Sequence, residues 1–364
     1  MASFPAETQC KLPRAASDAG ASSSFIDHND GTAASAQVFQ RVLADVEGPR
    51  AGPTVVFVGG IHGNEPAGAL AGALLAPLLE LLRSELAGRV VLLSGNRPAL
   101  RVGLRFLQRD LNRGWTASQM ELLSRLPVSE LDGEDREQLE LWQQVEQLER
   151  ELRGPLVAVD LHTTSGPSAP FVCFGDTPAN RQLAACLPAT AILGLEEVIE
   201  GVFVGFLTDR GHVGIAVEAG QHQDPSCVTR LLALMSLVLL HEGCLRQEHL
   251  PELSAWRAEL AGAAAGQPAL VEVRHRHVVA ADDEFEMLPG FSSFVPIARD
   301  QLVARDRRGW VHAPESGLML LPRYQGQGED GYFLVRPVPP GEAHPVFSRR
   351  AENAAIALPS GSQS

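Results

Sequence analysis

The stretch that decides the fold is VVFVGGIHGNEP, residues 55–66. Its first four residues are apolar and predict a buried strand over 55–58, which a pair of glycines ends. His62 and Glu65 follow, and an Ala/Leu-rich segment with helical spacing begins after Pro66. A strand that ends at glycines and delivers a histidine and a carboxylate into a turn is a suitable place for a metal ion in an α/β protein.

The composition is that of a globular protein with a net negative charge. The chain has 364 residues, of which 45% are hydrophobic and 20% are charged, and the formal net charge is −14. Such a charge argues against nonspecific binding to nucleic acid or to an anionic membrane surface. Any site for an anionic ligand must therefore be built from local arginines.

The cysteines and the N-terminal segment indicate an intracellular protein. The five cysteines are scattered and include no CxxC pair, which is neither a disulfide framework nor a zinc–thiolate site. Residues 1–33 are rich in Ala, Ser and Gly, contain no apolar core segment, and are expected to be disordered rather than a secretory signal. The longest uncharged apolar stretches are too short to span a bilayer. We therefore expect a cytoplasmic protein.

Strand-like and helix-like segments alternate over the first two thirds of the chain. Residues 37–46 fit a helix or a strand, and their valines and the following Gly-Pro favour an edge strand. Further strands are predicted at 90–93, 156–161, 171–174 and 214–217, and helices after Pro66, at 135–152 and at 226–246. This alternation predicts an α/β domain over residues 34–250.

The pattern changes after residue 250. The Ala/Gly-rich segment 251–268 is typical of a linker, and residues 269–340 show short strand-like runs without a long helix, which predicts a small all-β domain. The tail 341–364 is polar and expected to be loose. Residues 326–331 match the GxGxxG pattern, but a strand-like run follows them, so they predict a turn rather than a dinucleotide site.

Three predicted strands of the first domain end in ionisable residues. His62 and Glu65 follow the first, His162 follows the strand at 156–161, and Glu218 follows the strand at 214–217. Ligands of open α/β sheets bind at the carboxyl ends of strands, so these side chains are expected to be neighbours. His, Glu and His with an open position form a common zinc centre, and Glu218 is then the candidate general base.

An arginine-rich segment, residues 96–115, lies between these strands. Pro98 and Gly103 argue against a long helix, so we predict mainly a functional loop. Its positive charge is available to stabilise an oxyanion. The arginines recur at every fourth position: Arg97, Arg101, Arg105, Arg109 and Arg113.

Each of these features also has a structural interpretation. A single histidine near a strand end is often only a hydrogen-bonding residue, and the segment Asp160–His162 is compatible with a helix cap. Glu218 fits the role of an ordinary ion-pair carboxylate, and the arginines fit a solvent-exposed face of the protein. Alternative ligands are His212, His222 and His241.

Taken together, GGIHGNEP, RDLNR, DLHTTS and VEAGQH resemble the succinylglutamate desuccinylase/aspartoacylase family, a branch of the zinc-carboxypeptidase-like metallohydrolases. The four motifs stand in the family's order and cover roughly residues 38–250. The resemblance implies a zinc-carboxypeptidase-like mixed β-sheet flanked by helices. It also implies a small C-terminal all-β domain that covers the active site.

The resemblance implies a metal centre with one Zn²⁺ per chain. Its ligands are expected to be His62, Glu65 and His162, with Glu218 as the general base. Asp110 is expected to hold a zinc-binding histidine in its tautomer.

The resemblance also implies contacts to the substrate. Arg105 is expected to polarise the scissile carbonyl, and Asn112 and Arg113 to bind a substrate carboxylate. Arg210 and Tyr332 are candidate substrate contacts, although the spacing from Arg210 to Glu218 departs from the family pattern. VEAGQH also differs from the VEVGPQ of aspartoacylase-like proteins.

The expected function is zinc-dependent hydrolysis of the amide bond of an N-acyl amino acid that carries a carboxylate. A zinc carboxypeptidase acting on a small peptide or peptidoglycan fragment is the alternative within the enzyme class. The alternative from another class is a noncatalytic binding protein on the same fold. A homo-oligomer is compatible with this sequence.

Overall fold

The computed structural model describes residues 36–339. The segments 1–33 and 341–364, for which we predict disorder and a loose tail, lie outside the described residues. The helices are α1 Ala67–Leu81, α2 Arg97–Val102, α3 Ala117–Arg125, α4 Gly133–Glu151, α5 Pro178–Cys186, α6 Leu195–Val198, α7 Phe203–Asp209, α8 Ser226–His241 and α9 Leu253–Ala263.

Two sheets contain the strands of the described part. In chain order the strands are β1 Val42–Glu47, β2 Arg50–Gly59, β3 Ala87–Ser94, β4 Leu156–Thr164, β5 Phe171–Phe174, β6 Thr190–Leu193, β7 Val213–Gln221, β8 Leu270–Val278, β9 Glu286–Met287, β10 Pro296–Ile297, β11 Leu302–Asp306, β12 Gly309–His312, β13 Gly317–Leu320 and β14 Asp330–Pro337. The large sheet has the order β1-β3-β2-β4-β7-β5-β6-β8-β14-β13-β10, and the small one has the order β12-β11-β9.

The centre of the large sheet is parallel. Strand β2 pairs in parallel with both β3 and β4, and β4 pairs in parallel with β7. Strand β4 is buried along its whole length, as expected for a central strand covered by helices on both faces. The carboxyl ends of β2, β4 and β7 therefore lie side by side at one edge of the sheet.

The sequence-based assignments hold for most of these elements. The mixed α/β fold is confirmed, and residues 37–46 do include an edge strand, although β1 begins only at Val42. Strands β4 and β7 continue through His162 and Glu218 instead of ending before them. The segment 96–115 is mainly loop but starts with the short helix α2, in which Pro98 occupies the first turn, where its missing N–H costs nothing.

The segment 251–268, for which we predict a linker, instead contains helix α9. Leu253 and Leu260 of this helix are buried in the same hydrophobic core as Leu231 and Leu234 of α8. The Ala and Gly content of the segment hides the helical pattern, because only Leu253, Trp256 and Leu260 are large apolar side chains that pack against the core. The segment therefore packs on the α/β core.

The C-terminal strands continue the large sheet. Strand β8 pairs in parallel with β6 and antiparallel with β14, so that backbone hydrogen bonds join the C-terminal β region to the α/β region. The GxGxxG segment does lie in a turn region, between β13 and β14, but the connection is the long loop 321–329. The boundary drawn at residue 269 stays a prediction.

Candidate metal centre and cavity

The loop after β2 places His62 and Glu65 at the carboxyl edge of the sheet. Gly60 has a φ of +74°, which favours glycine, and it turns the chain out of the strand. At Gly63 an added Cβ would lie 2.1 Å from the carbonyl carbon of Ala99, so helix α2 approaches the loop too closely for any side chain there. The two glycines explain why the loop can pack beneath α2 and hold His62 and Glu65 in a buried position.

Glu65 stands between the two histidines. His62 Nδ1 lies 3.0 Å from Glu65 Oε1, and His162 Nδ1 lies 3.0 Å from Glu65 Oε2. One ligand atom from each of the three residues lies within 4.8 Å of the others, and all three residues are buried. Burial raises the pKa of Glu65, but His62 and His162 outweigh it and hold that pKa well below the ordinary value.

Each histidine has an aspartate behind it. His62 Nε2 lies 3.1 Å from Asp110 Oδ1, and His162 Nε2 lies 2.7 Å from Asp160 Oδ2. An N–H on Nε2 that donates to the aspartate leaves the lone pair of Nδ1 free for a metal. The predicted role of Asp110 agrees with this geometry. The matching role of Asp160 is absent from our sequence-based assignments, although Asp160 and His162 lie two residues apart and therefore on the same face of a strand.

Glu218 lies opposite His162. The two residues are paired in the β4–β7 register, and Glu218 lines the cavity that contains the cluster. Its Oε2 atom is buried and has no hydrogen-bond partner among residues 36–339. Burial raises the pKa of Glu218 well above the ordinary value, and Glu65 raises it further, while His162 and Arg105 oppose the shift.

Arg105 also reaches the cluster. Its Nε donates to Asp110 Oδ2 at 3.0 Å, and its Nη1 lies 3.5 Å from Glu65 Oε1. Although burial lowers the pKa of the guanidinium, Asp110 and Glu65 raise it above the ordinary value. A fixed positive charge therefore lies beside the histidines and faces the cavity.

Asn112 and Arg113 line the cavity, but both are already engaged. The Nδ2 of Asn112 donates to Asp160 Oδ2 at 3.2 Å, and its Oδ1 accepts from the backbone N–H of Phe203 at 2.8 Å. Arg113 Nη2 donates to Asp330 Oδ2 at 2.9 Å. The structure thus gives Asn112 a supporting position behind His162, and it pairs Arg113 with a carboxylate that the sequence did not reveal.

Two of the predicted substrate contacts lie away from the cavity. Arg210 binds Glu149, with its Nη2 2.7 Å from Oε2, and stacks over Trp142 at 4.7 Å from the ring centre. Tyr332 is fully buried and stacks on His277 with ring centres 5.0 Å apart. Neither residue lines the cavity that contains Glu218. The structure corrects both assignments.

Other arginines of the segment 96–115 form ion pairs instead of a stripe facing the site. Arg97 Nη2 lies 2.7 Å from Glu137 Oε1, and Arg109 donates to Asp135. Both acceptors belong to helix α4. Arg101 lies over the ring of Phe39, 4.6 Å from its centre. Of the five arginines, only Arg105 and Arg113 line the cavity.

The cavity has a volume of about 140 Å³ and also includes His222, one of the alternative ligands, and Gln325, which the sequence did not indicate. His222 Nδ1 lies 2.8 Å from Thr163 Oγ1, which makes His222 a hydrogen-bonding neighbour of the cluster and not one of its three members. The other two alternative ligands, His212 and His241, are not among the lining residues. Gln325 reaches the cavity from loop 321–329 and accepts from Asn64 Nδ2 at 2.8 Å.

The fold and the cluster together define an α/β protein with a candidate metal centre at the carboxyl edge of its parallel strands. Residues 51–228 match the model of the succinylglutamate desuccinylase/aspartoacylase catalytic domain. This match, which covers just under half of the chain, supports membership of the succinylglutamate desuccinylase/aspartoacylase family.

Known relatives agree with this assignment. The "Probable aspartoacylase" of Prochlorococcus marinus (strain MIT 9313) is 32% identical over 174 residues, which are 46% of this chain and 54% of that protein. The match therefore spans about half the length of this curated relative.

Solved structures share the fold. Succinylglutamate desuccinylase/aspartoacylase from Rhodobacter sphaeroides aligns with a TM-score of 0.59 at 21% identity over 81% of this chain and 88% of that chain. The product-bound ectoine utilization protein EutE (DoeB) from Ruegeria pomeroyi aligns with a TM-score of 0.57 at 20% identity over 80% of this chain and 87% of that chain.

In residues 36–339 no helix is both long and apolar enough to cross a membrane.

Proposed function

We propose that this chain hydrolyses the amide bond of an N-acyl amino acid at a zinc ion held by His62, Glu65 and His162. The observation that carries the proposal is the convergence of two histidine Nδ1 atoms on the two oxygens of Glu65, with Glu218 in register opposite His162. The family is one of deacylases of the aspartoacylase and succinylglutamate desuccinylase type.

The donor set fits zinc. Two imidazole nitrogens and a carboxylate are ligands that catalytic zinc sites use, and such sites keep further positions open for water or substrate. The aspartates behind both histidines orient the rings and increase their basicity, as supporting residues of zinc sites do. When bound, zinc would polarise the scissile carbonyl and acidify the attacking water.

Glu218 is the residue placed to handle the proton. Its unpartnered Oε2 accepts the proton of the attacking water and then delivers it to the leaving amine, as a general base and acid must. The raised pKa of Glu218 favours holding that proton between the two steps. A bound dication would lower this pKa and so favour the carboxylate form that begins the reaction.

Arg105 and Arg113 supply the positive charge for the substrate. Arg105 is fixed by Asp110 beside the cluster, so it can stabilise negative charge that develops on the carbonyl oxygen. Arg113 faces the same cavity and would receive the substrate carboxylate beside Asp330. Asn112 acts indirectly, because its amide holds Asp160 and the backbone of Phe203 in place.

The decisive experiment is a hydrolysis screen on purified protein whose zinc content is measured by elemental analysis. N-acetyl, N-succinyl and N-formyl amino acids are compared with dipeptides, with and without a chelator. We expect turnover of one acyl amino acid, loss of it with the chelator, and loss of zinc in His62→Ala. His241→Ala is the matched control, since His241 does not line the cavity.

The same screen tests the alternatives. The cavity of about 140 Å³ favours a small substrate over a peptide chain. Preferred cleavage of the dipeptides would instead identify a carboxypeptidase. Protein without zinc that hydrolyses none of the compounds would contradict the proposal and favour a noncatalytic binding protein. The cytoplasmic location and a homo-oligomeric state stay predictions.

A further inference from the structure

One side of the catalytic cavity is apolar. Leu195, Ile199 and Phe333 line it and belong to one hydrophobic cluster, against which Val202 and Ala216 pack. The metal ligands, Glu218 and the arginines form the polar side. Because both sides enclose one small space, a substrate held at the polar side places its side chain or its acyl group against the apolar cluster.

Of the two acidic residues in the helical turn at this apolar side, Glu196 and Glu197, only Glu196 lines the cavity. It lies in α6 next to Leu195 and lines the same cavity. Its Oε1 atom is buried without a hydrogen-bond partner, and within residues 36–339 the side chain forms no ion pair. Gly175 leaves room for its carboxylate, since an added Cβ there would lie 2.7 Å from Glu196 Oε2.

A buried carboxylate without a donor is unfavourable in the free protein. Burial, and to a smaller extent Asp209, raise the pKa of Glu196 to about 7. A ligand that brings an N–H group to this oxygen would remove the cost, because the group would then have the hydrogen bond that it lacks. A ligand that brings a second carboxylate would instead increase the repulsion.

Most donors of the cavity's arginines are already engaged, and within residues 36–339 the Nε atoms of Arg113 and Arg323 lack a partner. Arg105 is held by Asp110, and Arg113 is held by Asp330, which also accepts from Arg276 Nε at 2.6 Å. Arg323 donates to the carbonyl oxygens of Gly328 and Phe285, at 2.6 and 3.3 Å. One carboxylate of the substrate can bind Arg113, which it then shares with Asp330.

We propose that the substrate is an N-acyl amino acid whose side chain ends in an amine, and that Glu196 receives this amine at the apolar side of the cavity. The proposal rests on the proposed deacylase function and names its substrate class. It disfavours N-acyl derivatives of aspartate and glutamate. Glu196 is then the residue that determines specificity.

The test compares kcat/KM for N-acetyl-L-ornithine, N-acetyl-L-norvaline and N-acetyl-L-aspartate. We expect N-acetylornithine to be the best of the three. Glu196→Gln should reduce kcat/KM for N-acetylornithine by at least about 10-fold and leave that for N-acetylnorvaline nearly unchanged, since only the first substrate brings a charged donor. Glu197→Gln removes the same charge one residue away, outside the cavity lining, and should change neither value.

Binding of the products separates this inference from the proposed function. Calorimetry with ornithine and aspartate does not require turnover, so it decides the substrate class even if no acyl amino acid is hydrolysed. Ornithine binding that weakens in Glu196→Gln supports the inference. Aspartate binding at least as tight as ornithine binding, or ornithine binding unaffected by Glu196→Gln, overturns it.

Discussion

At the scale of single residues, the two histidines of the cluster are held in the same way. Each presents Nδ1 to Glu65 and Nε2 to an aspartate, Asp110 for His62 and Asp160 for His162. With a metal bound at Nδ1, each aspartate would hold the tautomer that carries its N–H on Nε2. Asp110 and Asp160 would act on a bound metal only through these histidines, and their effect on metal affinity can be measured.

The general-base role that we propose for Glu218 gives the first prediction. Glu218→Gln keeps the shape of the side chain but cannot accept a proton, so turnover should fall by at least ~10²–10⁴ while zinc content is unchanged. Steady-state kinetics together with elemental analysis measure both. Activity close to that of the wild type would rule out the assignment.

Asp160 gives the second prediction. Asp160→Asn weakens the acceptor behind His162 Nε2, and zinc affinity should fall by about 10–100-fold, as for other residues that support metal ligands. Competition with a chromogenic chelator measures the affinity. Asp45→Asn is the control, because Asp45 is exposed and, within residues 36–339, pairs only with Arg89. Equal zinc affinity in the two variants would contradict the role of Asp160.

At the scale of elements, the site depends on three adjacent parallel strands. Strands β2, β4 and β7 are neighbours, so their carboxyl ends bring together groups from residues 62 to 218. The β4–β7 register sets Glu218 opposite His162. Because strand side chains alternate between faces, a shift of one residue would turn one of the two away from the cavity.

Helix α9 gives the third prediction. Leu260 is fully buried, so Leu260→Ala should lower the free energy of unfolding by about 2–5 kcal/mol. Denaturant unfolding measures the change. Leu81→Ala is the matched control, since Leu81 is 66% exposed, and it should cost much less. Equal effects of the two substitutions would show that the segment 251–268 behaves as the linker predicted from its composition.

At the scale of the whole molecule, the C-terminal strands contribute to the cavity because they belong to the large sheet. Loop 321–329 between β13 and β14 brings Gln325 to Asn64 of the HGNEP segment, and Gln327 Nε2 donates to the carbonyl of Phe106 at 2.9 Å. Asp330 at the start of β14 binds Arg113. Groups from both halves of the chain therefore line the cavity.

The pH dependence of stability is the fourth prediction. The pKa of Glu196 is about 7 in the folded chain and about 4.3 in an unfolded one. Between these values the folded state retains a proton that the unfolded state has released, so the free energy of unfolding falls as pH rises from about 4.3 to 7. Glu196→Gln should remove this contribution. Denaturant unfolding at several pH values should show that the free energy of unfolding falls less with rising pH in Glu196→Gln than in the wild type. The same pH dependence in both proteins would contradict the prediction.

The sequence by itself was sufficient for the local parts of the site. The spacing of His62 and Glu65, and the glycines before and between them, are local features that lie within a few residues. Such patterns predicted the mixed α/β fold, whereas the supporting role expected of Asp110 came from the family resemblance. They failed for α9, because the Ala/Gly content of a linker and that of a lightly packed helix are alike.

Only the tertiary structure decided which distant residues meet. The pairing of Asp330 with Arg113 and the position of Glu196 in the cavity of the metal cluster depend on strand order and on a loop from the far end of the chain. The tertiary structure also pairs Arg210 with Glu149 and buries Tyr332, so that both residues lie away from the cavity. The physical reason is that these contacts join residues far apart in sequence, so that no local spacing encodes them; they exist only after the sheet has assembled.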